Sequence, residues 1–233
     1  MEFEAIAGNL PEADQVRTQV RAALTTRYVG WSDDYDRKFD SHTTWFGLRR
    51  GHEYVATCKL IFKRHAGRSM TLPMESGDLK AFAIPDREGV CEGSGLSLVG
   101  PRYILALLCG MGRWMIQHDI GSVYSIVDVR NRNLQLLYQR LGFESIPGQL
   151  VRFSGFCHKE DGLPVQWQVI RMSPDRFRSE QGYAELARLG CAGYHGCSSC
   201  YMKVRRHEQP AVIERASRLV LVGCANAAAG IIQ

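Results

Sequence analysis

Apolar residues recur along the chain with two different periods, and the switches between them outline its elements. From Pro11 to Arg27 a proline stands near the start and Glu12 and Asp14 occupy the first turn. Val16, Val20, Ala23 and Leu24 share one face, which predicts a helix. Thr44 to Arg49 and Tyr54 to Phe62 read as two strands joined at Arg50-Gly51-His52, a hairpin turn. Residues 64 to 90 carry several Gly and Pro with weak periodicity, which predicts mostly loop.

The middle of the chain is more informative. Gly95 to Val99 reads as a strand, and Pro101 opens a helix in which Ile104, Leu107, Leu108, Met111 and Met115 share a face, with Gly121 closing the unit. Val123 to Val129 is the next strand. Asn131 to Leu141 is the next helix, with Leu134, Leu137, Tyr138 and Leu141 at helical spacing and Gly142 as its stop. Leu150 to Cys157 and Val165 to Met172 make a last pair of strands, in which Val165, Trp167 and Val169 alternate with polar neighbours.

The order predicts an α/β protein with a mixed central sheet, flanking helices and a C-terminal extension. An early hairpin precedes a parallel crossover and a closing antiparallel pair, and a crossover between parallel strands leaves a ligand cleft at the strand ends. Beyond Pro174 the pattern changes to a short helix, Asp175 to Leu189, then CAGYHGCSSCYMKVRRH and a small-residue tail. The expected division is a domain over 1–174 and an extension over 175–233.

Composition narrows the class. The chain of 233 residues is 45% hydrophobic and 23% charged, which fits a folded globular protein and excludes a disordered one. MEFEAIAGNL carries neither a basic region nor a long apolar run, so no signal peptide or transmembrane segment is expected and cytoplasm is the expected location. The eight cysteines are scattered, several within apolar periodic segments, so no disulfide framework is expected. Cys191, His195, Cys197 and Cys200 fall within ten residues, a tight span to wrap around one ion, and no metal site is expected. A net charge of +5 would attract nucleic acid, an acidic protein or a phosphorylated ligand.

The stretch VDVRNRNLQLLYQRLGF, with Asn131, Leu137, Tyr138, Leu141, Gly142 and Phe143, resembles the GCN5-related N-acetyltransferase superfamily, as does the element order. That superfamily holds the pyrophosphate of coenzyme A with an Arg/Gln-x-x-Gly-x-Gly/Ala loop after its fourth strand. LVGPRYILALLCG stands there instead, without the successive backbone donors that bind an anion at a helix start. The resemblance therefore points to a donor lacking the nucleotide, an acyl-phosphopantetheine thioester on an acyl carrier protein, with acyl-CoA as the other candidate. No permanently bound cofactor is expected.

The N-terminal half is similar to the acyl-homoserine-lactone synthases and long-chain N-acyl amino acid synthases. Arg21 stands ten residues before Trp31, DDYDRKFD follows, CKLIF is similar to their "RL" strand, and CEGS to their "E-x-S-R". Lys59 and Gly95 depart from that pattern where it has Arg, and Asp36 and Asp40 lie closer to Trp31 than in the lactone synthases. The departures argue against adenosylmethionine as acceptor and for the amine of an amino acid or similar small molecule.

Acyl transfer from a thioester to an amine needs a neutral amine, a polarised carbonyl and a protonated leaving thiolate. Glu92 is the candidate base, and Tyr138 the candidate acid toward the departing sulfur. Backbone N–H groups around Leu98, Val99 and Gly100, with Arg102 and Asn131, are candidates for holding the donor. Trp31, Asp36 and Asp40 are candidates for an acceptor pocket, and Arg130, Arg132 and Arg140 for docking an acidic carrier protein.

Each has a plainer alternative: a solvated Glu or Asp, a core Tyr, a solvated basic helix face. Two other activities fit the pattern, a coenzyme A-dependent acetyltransferase of small amines and a non-catalytic nucleic-acid or partner-binding module using Lys203, Arg205, Arg206 and His207. Few aromatics interleave with that run, so no nucleic acid is expected.

Overall fold

The computed structural model describes residues 2–30, 32–78, 82–99 and 103–177. Eleven strands and four helices follow in order: β1 (Glu2–Ala7), α1 (Glu12–Thr25), β2 (Tyr28–Val29), α2 (Asp33–Arg37), β3 (Thr43–Arg50), β4 (Glu53–Phe62), β5 (Arg64–His65), β6 (Arg68–Ser69), β7 (Val90–Leu98), α3 (Ile104–Gln117), β8 (Ser122–Asp128), α4 (Arg132–Arg140), β9 (Glu144–Val151), β10 (Cys157–His158) and β11 (Trp167–Met172). Seven strands form one sheet in the order β1-β3-β4-β7-β8-β11-β9. Every pairing in it is antiparallel except β7 with β8, the pair joined through α3.

Period-2 alternation gives the sheet two faces. On one, Leu60, Cys91, Val123 and Ile170 meet α3 through Leu107, Met111 and Met115, with Leu134, Leu137 and Tyr138 of α4 packed against the same cluster. On the other, Trp45 packs with Val16 and Val20 of α1, and Ile61, Val90, Tyr124 and Val169 meet Leu72 and Met74. Burying a side chain of this size stabilises by about 1.5–3 kcal/mol, so the core fixes which face each polar residue can occupy.

The helix ends follow local chemistry. Pro11 caps α1 and Glu12 and Asp14 sit in its first turn, where negative charge meets the helix dipole favourably. The Asn131 side chain accepts from the Leu134 N–H at 3.1 Å and starts α4.

Three expectations shift. The last strand pair is not 150–157 with 165–172: β9 occupies Glu144–Val151 and only Cys157–His158 of the later stretch is strand. β9 contains Pro147 and Gly148, which it tolerates because it is an edge strand that needs hydrogen bonds on one side only, and Gly148 has φ +72°. The central strand starts at Val90 rather than Gly95, and Glu2–Ala7 adds an edge strand where none was expected.

Gly95 marks a bulge. Thr57 to Lys59 faces Ser97 to Ser94, so β7 carries one extra residue, and Gly95 adopts φ +67°. A Cβ there would lie 3.4 Å from Lys59 Cγ and Trp45 Cζ3, so space is tight but present and backbone strain dominates the cost. Gly95→Ala is expected to lower unfolding free energy by about 1–2 kcal/mol, visible as a lower urea midpoint at unchanged slope.

Candidate functional site

The parallel ladder between β7 and β8 is short. Val90↔Ser122, Cys91↔Val123, Glu92↔Tyr124 and Gly93↔Ser125 pair, and there it stops, although β7 runs on to Leu98 and β8 to Asp128. The two strands therefore diverge beyond Gly93 and Ser125. The Ser125 hydroxyl donates to the Gly93 carbonyl at 2.7 Å at the point of divergence.

The β7 arm keeps its other edge paired. Val99 N–H donates to the Val55 carbonyl at 2.9 Å, so Val99 is committed to the sheet and is not a free donor. Backbone groups alternate sides in an antiparallel ladder. Leu98, opposite Ala56, accordingly turns its N–H toward the edge from which β8 has diverged. Gly100 and Arg102 lie outside the described residues.

Tyr138 approaches this vertex from α4. Burial pushes its phenol well above the usual tyrosine range, the Cys58 thiol adds to that, and a hydrogen bond with Ser125 opposes it. Its hydroxyl thus meets the same serine that closes the ladder. A cavity of about 30 Å³ behind it, lined by Val127, Gln139, Ser145 and Gln168 among others, is large enough for water.

Glu92 lies on the opposite face, one pair before the vertex and 1% exposed. Its Oε2 accepts from the Met74 N–H at 2.9 Å. Burial raises its pKa to about 7, against the lowering effect of the Met74 N–H and Lys59, with Glu75 adding to the rise. A carboxyl poised near neutrality can both accept and return a proton at working pH.

On this face a buried ionic network adjoins Glu92. Arg17, 2% exposed, donates through Nε to Asp36 at 3.2 Å and also pairs with Asp14 and Asp40, while Lys59 pairs with Asp36. Both cations stand over the Trp45 ring, Lys59 Nζ at 4.8 Å and Arg17 Cζ at 5.9 Å from its centroid. Burial lowers the Lys59 pKa, with Asp36 and Glu92 opposing; burial raises that of Asp40, with Arg17 opposing.

Asp36 and Asp40, expected beside an acceptor, are thus brought together and engaged by internal cations. Trp31 lies outside the described residues. Sequence reasoning missed Arg17. Arg21 carried the resemblance but is exposed, while Arg17, one turn earlier, sits on the buried face of α1 with Ala13, Val16 and Val20. An arginine within that apolar spacing was the available signal.

The remaining candidates separate. The Asn131 side chain is occupied as a helix cap. Arg130 pairs with Asp161 at 2.7 Å, whereas Arg132 and Arg140 stand exposed at the two ends of α4 with Leu136, 53% exposed, between them. At i, i+4 and i+8 these three form one stripe about 12 Å long. Cys191, His195, Cys197, Cys200 and the Lys203 to His207 run lie outside the described residues. Among the described residues no helix is long and apolar enough to cross a membrane.

No family model matches the sequence, and no curated protein matches it. Solved structures do match by fold. FeeM, an N-acyl amino acid synthase from uncultured soil microbes, aligns with a TM-score of 0.54 at 15% identity, covering 76% of this chain and 98% of that one. TofI in an apo form aligns at 0.52 and 16%, covering 80% and 96%. An N-acetyltransferase from Staphylococcus aureus Mu50 aligns at 0.51 and 12%, covering 75% and 97%. With its mixed seven-stranded sheet and parallel pair that divides beyond Gly93 and Ser125, the chain has the fold of the GCN5-related N-acetyltransferases.

Proposed function

We propose that the protein is an N-acyltransferase that moves an acyl group directly from a phosphopantetheine thioester to the amine of an amino acid or similar small molecule. The divergence of β7 from β8 carries this reading. It leaves the Leu98 N–H facing a gap in which an extended pantetheine arm can pair as a strand would. The same N–H, or a neighbour on that edge, can polarise the thioester carbonyl.

The steps follow from the groups around the vertex. The amine nitrogen bonds the thioester carbon, Glu92 takes its proton directly or through water, the carbon–sulfur bond breaks, and Tyr138 protonates the departing thiolate. A phenol held above its ordinary range is fully protonated at working pH, so it can hydrogen-bond the departing sulfur and supply a proton to it. Removing that hydroxyl in Tyr138→Phe is expected to slow single-turnover transfer about a hundredfold without weakening donor binding. Equal rates in both proteins would remove Tyr138 from the chemistry.

An acyl carrier protein is the favoured donor. The sequence after β7 lacks the glycine-rich diphosphate loop, and the Arg132, Leu136 and Arg140 stripe offers positive charge around an apolar centre. An acidic carrier would meet such a stripe by steering followed by apolar contact. Arg132→Glu with Arg140→Glu is expected to slow carrier-dependent transfer about tenfold at low salt and to leave transfer from free acyl-pantetheine unchanged. A coenzyme A-dependent acetyltransferase predicts the reverse donor preference in a direct comparison of the two thioesters.

Mass spectrometry of lipid extracts from cells expressing the chain tests the function itself. Accumulation of an N-acylated amine identifies both substrates; unchanged extracts, with no transfer from either thioester in vitro, would overturn the proposal.

A further inference from the structure

Beyond Ser125 the β8 arm ends at Asp128, and a second buried polar cluster gathers there on the Glu92 face. Asp128 is 5% exposed; its Oδ2 accepts from the Tyr28 hydroxyl at 3.0 Å and lies 3.7 Å from His158 Nδ1, and its Oδ1 accepts from the Arg130 N–H at 2.9 Å. Tyr28 and His158 face each other across the two-stranded β2–β10 pair and their rings lie 5.6 Å apart. Trp167, opposite Asp128 on β11, packs on Tyr28 at 5.3 Å. Two elements far apart in sequence thus hold one imidazole at the end of the β8 arm, three residues beyond the point where it leaves β7.

His158 is 8% exposed and its Nε2 has no hydrogen-bond partner, a condition shared in this cluster by Trp167 Nε1. Leaving such an atom buried and unpaired is unfavourable, and a ligand group bonded to it would recover that loss. The carboxylate of Asp128 can only accept, so it favours the proton on Nδ1 and leaves the Nε2 lone pair open. The open atom seeks a donor, an N–H or O–H. Of the other charges near the cluster, Arg130 and Asp161 pair with each other, and the Arg27 side chain hydrogen-bonds Tyr28.

We propose that His158, oriented by Asp128 and Tyr28, is a binding and proton-accepting site for the amine of the acceptor. The assignment rests on the acyltransferase reading for its chemistry. An acceptor amine enters as an ammonium, R–NH₃⁺. His158 Nε2 takes one proton and frees the nitrogen lone pair. Nitrogen then bonds the thioester carbon, Glu92 receives the second proton, carbon–sulfur cleavage releases the thiolate, and Tyr138 supplies its proton. The sum is an amide, a thiol and one proton returned to solvent, so a single base leaves one transfer without an acceptor. His158 and Glu92 divide the two.

The test uses the full chain with ¹⁵N-labelled histidine and long-range ¹H–¹⁵N NMR. Glycine, ethanolamine and the other free amino acids are added one at a time, with acetate and N-acetylglycine as amine-free controls. The expected result is that at least one amine, and neither control, moves the His158 Nε2 resonance, and that the effect is lost in Asp128→Asn. Alongside, His158→Gln is expected to lower kcat about tenfold with the donor KM unchanged.

No amine-dependent movement of Nε2 overturns the site, as does full turnover in His158→Gln. Should that variant fail to fold, the spectra of the unmodified chain decide. If the amines move His158 but no thioester is turned over, the amine site stands and the acyltransferase reading fails. If turnover occurs while His158 stays silent, the reverse holds.

Discussion

Glu92→Gln is expected to lower the rate of acyl transfer by about a thousandfold and, at the same time, to stabilise the protein above neutral pH. The two effects have one cause. Glu92 is folded into a site where burial raises its pKa from 4.5 to about 7. Between those values the folded state holds a proton that the unfolded chain has lost. Stability from this group is therefore fully present below 4.5, falls as pH rises toward 7, and has been lost above it. The rise corresponds to roughly 3 kcal/mol of penalty for the ionised form.

Glutamine carries no charge and can still accept from the Met74 N–H, so the penalty disappears. Thermal melts at pH 8 should show a higher Tm for the variant than for the parent, with the difference vanishing near pH 4. Transfer by the parent should rise with pH through about 7 as the base ionises, a limb the variant lacks. A glutamate with a purely structural role would give the same melts but leave the rate profile unchanged, so the pair of measurements separates site from scaffold.

Arg17→Met is expected to destabilise the domain by about 3–5 kcal/mol, enough to leave much of it unfolded in warm solution. Arg17 is the common partner of Asp14, Asp36 and Asp40. Removing it leaves Asp36, 4% exposed, with Lys59 alone and brings Asp40 closer to protonation. Breaking one side of a buried ion pair costs far more than the intact pair contributes, because the remaining charge stays desolvated. The double variant Arg17→Met with Asp40→Asn should recover part of the loss by removing the stranded charge. Urea unfolding of the three proteins gives the comparison. A loss below about 1 kcal/mol in Arg17→Met would show that water replaces the arginine readily and that the network is not a dry one.

The parts of this architecture that could be read from the chain are those whose signals are local. Asn131, the Leu134, Leu137 and Leu141 spacing and Gly142 define α4 almost to the residue, and Gly51 with its flanking alternation defines the β3–β4 hairpin. The position of Tyr138 on α4 follows from the first of these, whereas Glu92 stands ahead of the strand that the pattern predicts from Gly95 and is carried by a strand that begins at Val90. What could not be read depends on contacts between distant segments. Pro147 and Gly148 break the local pattern of β9, and only its place at the sheet edge permits them. Tyr28 and Asp128 meet across 100 residues, so no spacing announces the cluster around His158. The commitment of Val99 to Val55, which leaves Leu98 as the donor facing the gap, likewise requires the register of β4 on β7.

The most direct measurement follows the backbone amides of β7 by ¹H–¹⁵N NMR while a non-hydrolysable acyl-pantetheine thioether is added. Engagement of the gap requires a large downfield shift of the Leu98 amide proton as it acquires a hydrogen-bond acceptor, with Val99 nearly unmoved because its N–H stays on Val55. Saturating ligand with Leu98 unshifted, or shifts confined to surfaces away from β7 and β8, would contradict thioester binding between the two strands.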